Sequence, residues 1–188
     1  MSETTKRVVE AQEFRLTDGA GNLRAVLGLA DNGEPRLVLI GSKGLAEFGG
    51  RLGGRPGLLL GDSNGKIRAS ILMDEAGNPS VALQGPDGKP QVAIGAECGK
   101  LNGLIVFDGG GRTVIRAVWD EQKHQSQLTL HDRNGKVRAE LQLLPDGTPA
   151  LLLFDPAGRP GVGVFENELA VLGPQGEPVW SSSPPEVI

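Results

Sequence analysis

Leu128–Leu141 reads LTLHDRNGKVRAEL, two apolar-alternating stretches around Asp132-Arg133-Asn134-Gly135-Lys136. Leu128 and Leu130 precede the turn on one face, and Val137, Ala139 and Leu141 follow it on the same face. Alternation of this kind has the two-residue period of a strand with one apolar side. The centre has the chemistry of a tight reversal. Asp caps the turn through its carboxylate, and Gly takes the positive φ that closes a bulged hairpin.

The same turn recurs along the chain. Its glycines are Gly21, Gly44, Gly65, Gly88, Gly111, Gly135, Gly158 and Gly176, separated by 23, 21, 23, 23, 24, 23 and 18 residues. A period this regular sets the architecture before any other motif is read. Three residues earlier stand Asp18, Gly41, Asp62, Gly85, Asp108, Asp132, Asp155 and Gly173. A second series of turns, Asp31-Asn32-Gly33, Asp74-Glu75-Ala76-Gly77 and Pro145-Asp146-Gly147, falls between them. Turns so closely spaced leave strands of about seven residues, the pattern of consecutive hairpins. The expected fold is therefore all-β: eight hairpin repeats of about 23 residues in an antiparallel meander rolled into a shell, barrel or sandwich. Two repeats also match the size of a propeller blade, so a four-bladed β-propeller is the alternative. One repetitive β domain is expected over 7–180, with flexible tails at 1–6 and 181–188.

One face of the predicted strands is uniformly aliphatic: Leu23, Ala25, Leu27 and Leu29; Ile67, Ala69, Ile71 and Met73; Val137, Ala139, Leu141 and Leu143. The other mixes Arg24, Arg68, Arg138, Glu140 and Gln142 with Val38, Ile40, Leu59, Ile105, Phe107, Leu152 and Phe154. A solvated face would be more polar, so those seven apolar residues form a candidate interface, covered by another part of the sheet or by another subunit. The arginine stems are expected to lie over apolar surface with their heads paired to carboxylates.

The composition narrows the function. There are 19 basic and 23 acidic residues, interspersed, for a net charge of −4, so no basic block exists to hold nucleic acid. Tyr is absent and there are only two Trp, which leaves few stacking platforms. The lone Cys98 forms no internal disulfide. No apolar run reaches signal-peptide or membrane-spanning length, so no membrane insertion is expected. The default compartment is the cytoplasm, or export by a route without such a signal.

Motifs that suggest chemistry have simpler readings. Gly61-Asp62-Ser63-Asn64-Gly65 matches G-x-S-x-G, but KIRASILM after it reads as a strand, whereas a nucleophile elbow leads into a helix. His124 and His131 lack metal-ligand spacing. The Asp-rich turns supply one carboxylate each, too few for a calcium loop. The glycine-rich run 49–57 lacks the Lys and Ser or Thr of a phosphate loop. Neither cofactor nor metal is expected. The repeat is disturbed at 49–57, 97–103 and 120–127, and loops carry binding more often than scaffolds do. Arg51, Arg55, Trp119 and His124 form the candidate binding set there.

The unit Asp132-Arg133-Asn134-Gly135-Lys136-Val137-Arg138-Ala139 resembles the YD (Rhs-type) hairpin repeats of bacterial shell and toxin proteins, which read Y-D-x-x-G-[RN]. Their Tyr is replaced here by Thr17, Gly61, Phe107, His131 and Phe154. The chain is also similar to Leu-rich hairpin repeats of uncharacterised bacterial proteins. The first resemblance implies a spiralling hairpin scaffold without an active site of its own. The function expected is thus non-enzymatic: a self-associating scaffold of a fibre, shell or phage-like appendage, with its own copies or another structural protein as partner. The alternatives are a ligand- or carbohydrate-binding module using the irregular loops, and a hydrolase with an unrecognised site.

Overall fold

The computed structural model describes residues 8–52, 54–97, 101–166 and 168–182. The side chains of 51, 52, 96, 97 and 101 lie outside that description. The tails expected at 1–6 and 181–188 also lie outside it, apart from Ser181 and Ser182. The chain divides into two compact units, Met1–Glu75 and Ala76–Ile188.

The first unit holds β1 (Glu13–Thr17), β2 (Leu23–Leu29), β3 (Pro35–Gly41), β4 (Gly44–Leu52), β5 (Arg55–Asp62) and β6 (Ile67–Met73). The second holds β7 (Pro79–Gln84), β8 (Pro90–Glu97), β9 (Leu101–Phe107), β10 (Thr113–Asp120) and β11 (Gln125–His131). It continues through β12 (Val137–Leu143), β13 (Pro149–Phe154), β14 (Pro160–Phe165), β15 (Glu168–Leu172) and β16 (Pro178–Ser181). Within each unit every strand pairs antiparallel with its neighbours in sequence. The fold is the expected all-β hairpin meander.

The turns work as their residues require. In the turn at 132–136 the Asp132 N–H donates to the Lys136 carbonyl at 2.8 Å, and the Gly135 N–H donates to the Asp132 carbonyl at 2.8 Å. Gly135 takes φ +79°. Asp132 Oδ1 accepts the backbone N–H groups of Asn134 at 2.8 Å and Lys136 at 3.1 Å. Asp18, Asp62, Asp108 and Asp155 repeat that pair of acceptances. Each such hairpin shifts register beside its turn, as between Leu16 and Thr17 or between Leu130 and His131. A bulge adds local twist and bends its strand. Bulges repeated at one end of successive hairpins favour a curl in each sheet. The repeat at Gly44 is the exception: Gly41 pairs with Gly44 across two residues, without the bulged turn.

Three expectations change. Neither unit closes into a barrel, because among the described residues β1 does not pair with β6 and β7 does not pair with β16. Every strand contact within a unit is between sequence neighbours, so neither unit is a two-layer sandwich. Ten successively bonded strands in the second unit also do not break into four-stranded blades, which removes the propeller. The supposed irregular loops are mostly strand. Leu52 pairs with Arg55, Glu97 with Leu101, and Asp120 with Gln125. Cys98, Gly99 and Lys100 lie outside the described residues.

The two faces differ in burial. The buried side chains Val26, Leu59, Val118, Ala150, Ala170, Glu47, Ser70 and Thr129 all stand on the mixed face. A flat single layer would leave both faces accessible. Burial of one face without a second layer follows when the sheet curls around it. Small residues accommodate that curl. A Cβ on Gly103 would lie 2.3 Å from the Ala117 carbonyl oxygen and 2.6 Å from the Val118 side chain. The aliphatic face is the outer, more exposed one.

Candidate interaction surface

Cross-strand registry turns the aliphatic face into continuous ladders. In the first unit one ladder runs Phe14–Leu27–Leu37–Phe48–Leu58–Ile71 and the next Leu16–Ala25–Leu39–Ala46–Leu60–Ala69. In the second unit one runs Val81–Ile94–Leu104–Ala117–Leu128–Leu141–Leu151–Val164–Leu169. Its neighbour runs Leu83–Val92–Val106–Ile115–Leu130–Ala139–Leu153–Val162–Val171–Trp180. No polar residue interrupts any of the four. Leu27, Leu39, Phe48, Ile71, Leu130, Leu141, Leu153 and Trp180 are all exposed. With strands about 4.8 Å apart, the ladders of the second unit cover roughly 45 Å.

The size of this surface separates it from ordinary exposed leucines. The second unit leaves about a dozen large apolar side chains a third to a half exposed. Full burial of one is worth about 1.5–3 kcal/mol at about 25 cal/mol per Å², which leaves roughly 250–700 Å² of apolar surface. Patches beyond a few hundred Å² mark interaction sites, and each partner in a standard interface buries about 800 Å².

The inner face mixes apolar with polar side chains, and several of the polar ones pair with one another, although the buried Arg36 Nε has no hydrogen-bond partner among the described residues. Arg24 Nε donates to Asp18 Oδ2 at 2.9 Å, and Arg68 Nε donates to Asp62 Oδ2 at 2.9 Å. Arg138 lies 3.8 Å from Asp132 and donates to the Phe154 carbonyl at 3.0 Å. The arginines therefore have their heads at carboxylates, as their spacing implied. In the second unit Arg116 donates to Gln127 Oε1 at 3.4 Å, Gln127 donates to Glu140, and Gln125 donates to Gln142. The turn carboxylates are held below the ordinary value of 3.8. At Asp62 the main cause is the hydrogen bond from Arg68, and at Asp132 the backbone N–H of Asn134. Side-chain and backbone bonds from Asn22 do this at Asp18, and bonds from Arg112 and Arg159 do it at Asp108 and Asp155.

The candidate interface residues all fall on the inner face. Leu59 is buried, while Val38, Ile40, Ile105, Phe107, Leu152 and Phe154 are half-buried. The larger accessible apolar surface lies opposite. A signal for this was present in the sequence: Gly28, Gly95 and Gly163 sit between outer-face aliphatics, and Gly57 and Gly103 beside one, where a concave side needs little volume.

Of the candidate binding set, Trp119 and His124 come together, with ring centres 6.3 Å apart and tilted by 56°. The Trp119 indole N–H donates to the Glu121 carboxylate. His124 takes φ +50° in the turn. Arg55 is half-buried in the other unit, and the Arg51 side chain lies outside the description. Ser126 shares the outer face with Trp119, whereas His131 shares the inner face with Thr129. The Gly135 carbonyl, 3.2 Å from His131 Nδ1, can only accept, so that nitrogen carries a proton, and Nε2 lies within hydrogen-bond distance of the Thr129 hydroxyl at 2.9 Å. Ser63 sits in a hairpin turn that leads into β6. Comparison with protein-family models and with curated proteins finds no match to this chain.

Proposed function

We propose that this chain is a non-enzymatic scaffold that assembles with copies of itself, its outer aliphatic ladders forming part of the contact. The observation that carries this is the pair of uninterrupted, half-exposed ladders across nine and ten successive strands. A second copy is the occupant whose chemistry fits, because an aliphatic ladder face is complementary to itself when two sheets stack about 10 Å apart. A bilayer fits poorly. The apolar band is at most four residues deep on a strand, as at Val137–Leu143, about 20 Å, against a hydrocarbon core of about 30 Å. The arginines bonded to turn carboxylates on the inner face and the capped turns suit a rigid scaffold.

Sedimentation velocity and light scattering across a wide concentration range test this reading. Oligomers that dissociate on dilution are expected. A protein that stays monomeric at hundreds of micromolar would overturn it.

A further inference from the structure

We propose that copies join head to tail, β16 of one pairing antiparallel with β1 of the next in the register that the repeat already uses. This rests on the self-assembly reading and assigns it a direction. Hairpins occur here in two kinds. Odd-to-even pairs such as β1–β2 and β11–β12 close on the bulged turn, and even-to-odd pairs join one repeat to the next. The even-to-odd pairing is made at β2–β3, β4–β5, β8–β9, β10–β11, β12–β13 and β14–β15. Among the described residues, β1 is an odd strand with no even strand before it, and β16 is an even strand with no odd strand after it. Each lacks the partner that the other's strand type supplies elsewhere in the chain.

The repeat also fixes the register. In five of these joints the residue four after a turn glycine faces the residue five before the next turn glycine; β4–β5, which follows the unbulged turn at Gly44, is shifted by two and sets Ala46 against Leu60. Ala25 faces Leu39, Val92 faces Val106, Ile115 faces Leu130, Ala139 faces Leu153, and Val162 faces Val171. Carried across two copies, the rule sets Trp180, four after Gly176, opposite Leu16, five before Gly21. Ser181 then faces Arg15. Both outer residues lie on the aliphatic face and are open to solvent, Trp180 at 54% and Leu16 at 62%. Trp180 ends one ladder and Leu16 begins another, so the joint continues an apolar row. An aromatic side chain directly opposite an aliphatic one is a favourable cross-strand pair. An interface between two different edges is heterologous, and it grows into a filament or closes into a ring according to the rotation between copies.

Cysteine trapping tests the joint in the full chain. In a Cys98→Ser background, a Leu16→Cys chain and a Trp180→Cys chain are mixed and oxidised gently. The expected product is a covalent dimer containing one of each, at least tenfold above that from Leu16→Cys mixed with Val179→Cys, whose thiol lies on the other face. Amides of β1 and β16 in the unaltered protein should also become at least tenfold better protected from hydrogen exchange as concentration rises. Oligomers without that cross-link and without that protection would overturn the head-to-tail joint while leaving self-assembly standing. A monomer at every concentration would overturn both. A chain carrying both cysteines that cross-links within itself, with no dimer, would also overturn the joint.

Discussion

Leu59 and Leu60 are consecutive residues of β5 with opposite fates. Leu59 is 3% exposed on the mixed face, and Leu60 is 43% exposed on the uniformly aliphatic face. The side chain with the more polar neighbours is the buried one. Apolar composition therefore does not decide which side of this sheet is inside. Crowding does: the inner side must be small enough to curl around, and its charged groups must reach partners without solvent. Glycines opposite neighbouring backbone and arginines tied to turn carboxylates meet both conditions.

The largest expected effect tests this contrast directly. Leu59→Ala should destabilise the fold by about 3 kcal/mol, since a buried leucine deletion loses transfer energy and leaves a cavity. Leu60→Ala should cost less than about 1 kcal/mol, as a half-exposed site does. Urea unfolding at a concentration where the protein is dissociated measures both, because association adds apparent stability by mass action. Equal losses would mean that the two faces are buried alike.

Next comes the space behind the curl. Gly103→Ala places a methyl against the Ala117 carbonyl and the Val118 side chain. Overpacking of this kind should cost roughly 2 kcal/mol. Gly109→Ala, with nothing within 4 Å of its new Cβ, should be close to neutral. A neutral Gly103→Ala by thermal melting would show that the strands can flatten to make room.

Leu141→Lys, at the middle of an outer ladder, sharpens the comparison from the other side. Folding stability should change by less than about 1 kcal/mol, as at other exposed positions. The self-association constant should fall at least tenfold, read by sedimentation. A variant that unfolds instead would place Leu141 in a core.

The smallest effect belongs to the turns. The folded-state pKa values of Asp18, Asp62, Asp108, Asp132 and Asp155 lie below 3.8. The unfolded chain therefore binds these protons first as pH falls. Their contribution is fully present above the unfolded value and is lost as pH drops through the lower folded values. Melting temperature should thus decline below about pH 4, and Asp62→Asn should flatten part of that decline.

Much of the fold was legible because its rules are local. The D-x-x-G turns, their positive-φ glycines and the two-residue alternation place nearly every strand to within a residue or two, since each depends on a few adjacent residues. The interruptions at 49–57 and 120–127 were harder. There the strands run on through Gly49 and Asp120 by pairing with Gly57 and Gln125, and such pairing is invisible to a search for missing turn motifs. The candidate surface was half legible. The ladder residues were recognised as one face, but Val38, Leu59 and Leu152 on the other were chosen as the interface.

The sequence by itself determined the hairpins, their order and the two faces of every strand, because turn chemistry and side-chain alternation act over a few bonds. Only the tertiary structure decided which face is the more buried and that neither unit closes on itself. Curl is the sum of bulges, small residues and cross-strand packing over many strands. No single repeat contains that sum, so the exposed aliphatic ladders emerge only when the strands stand side by side.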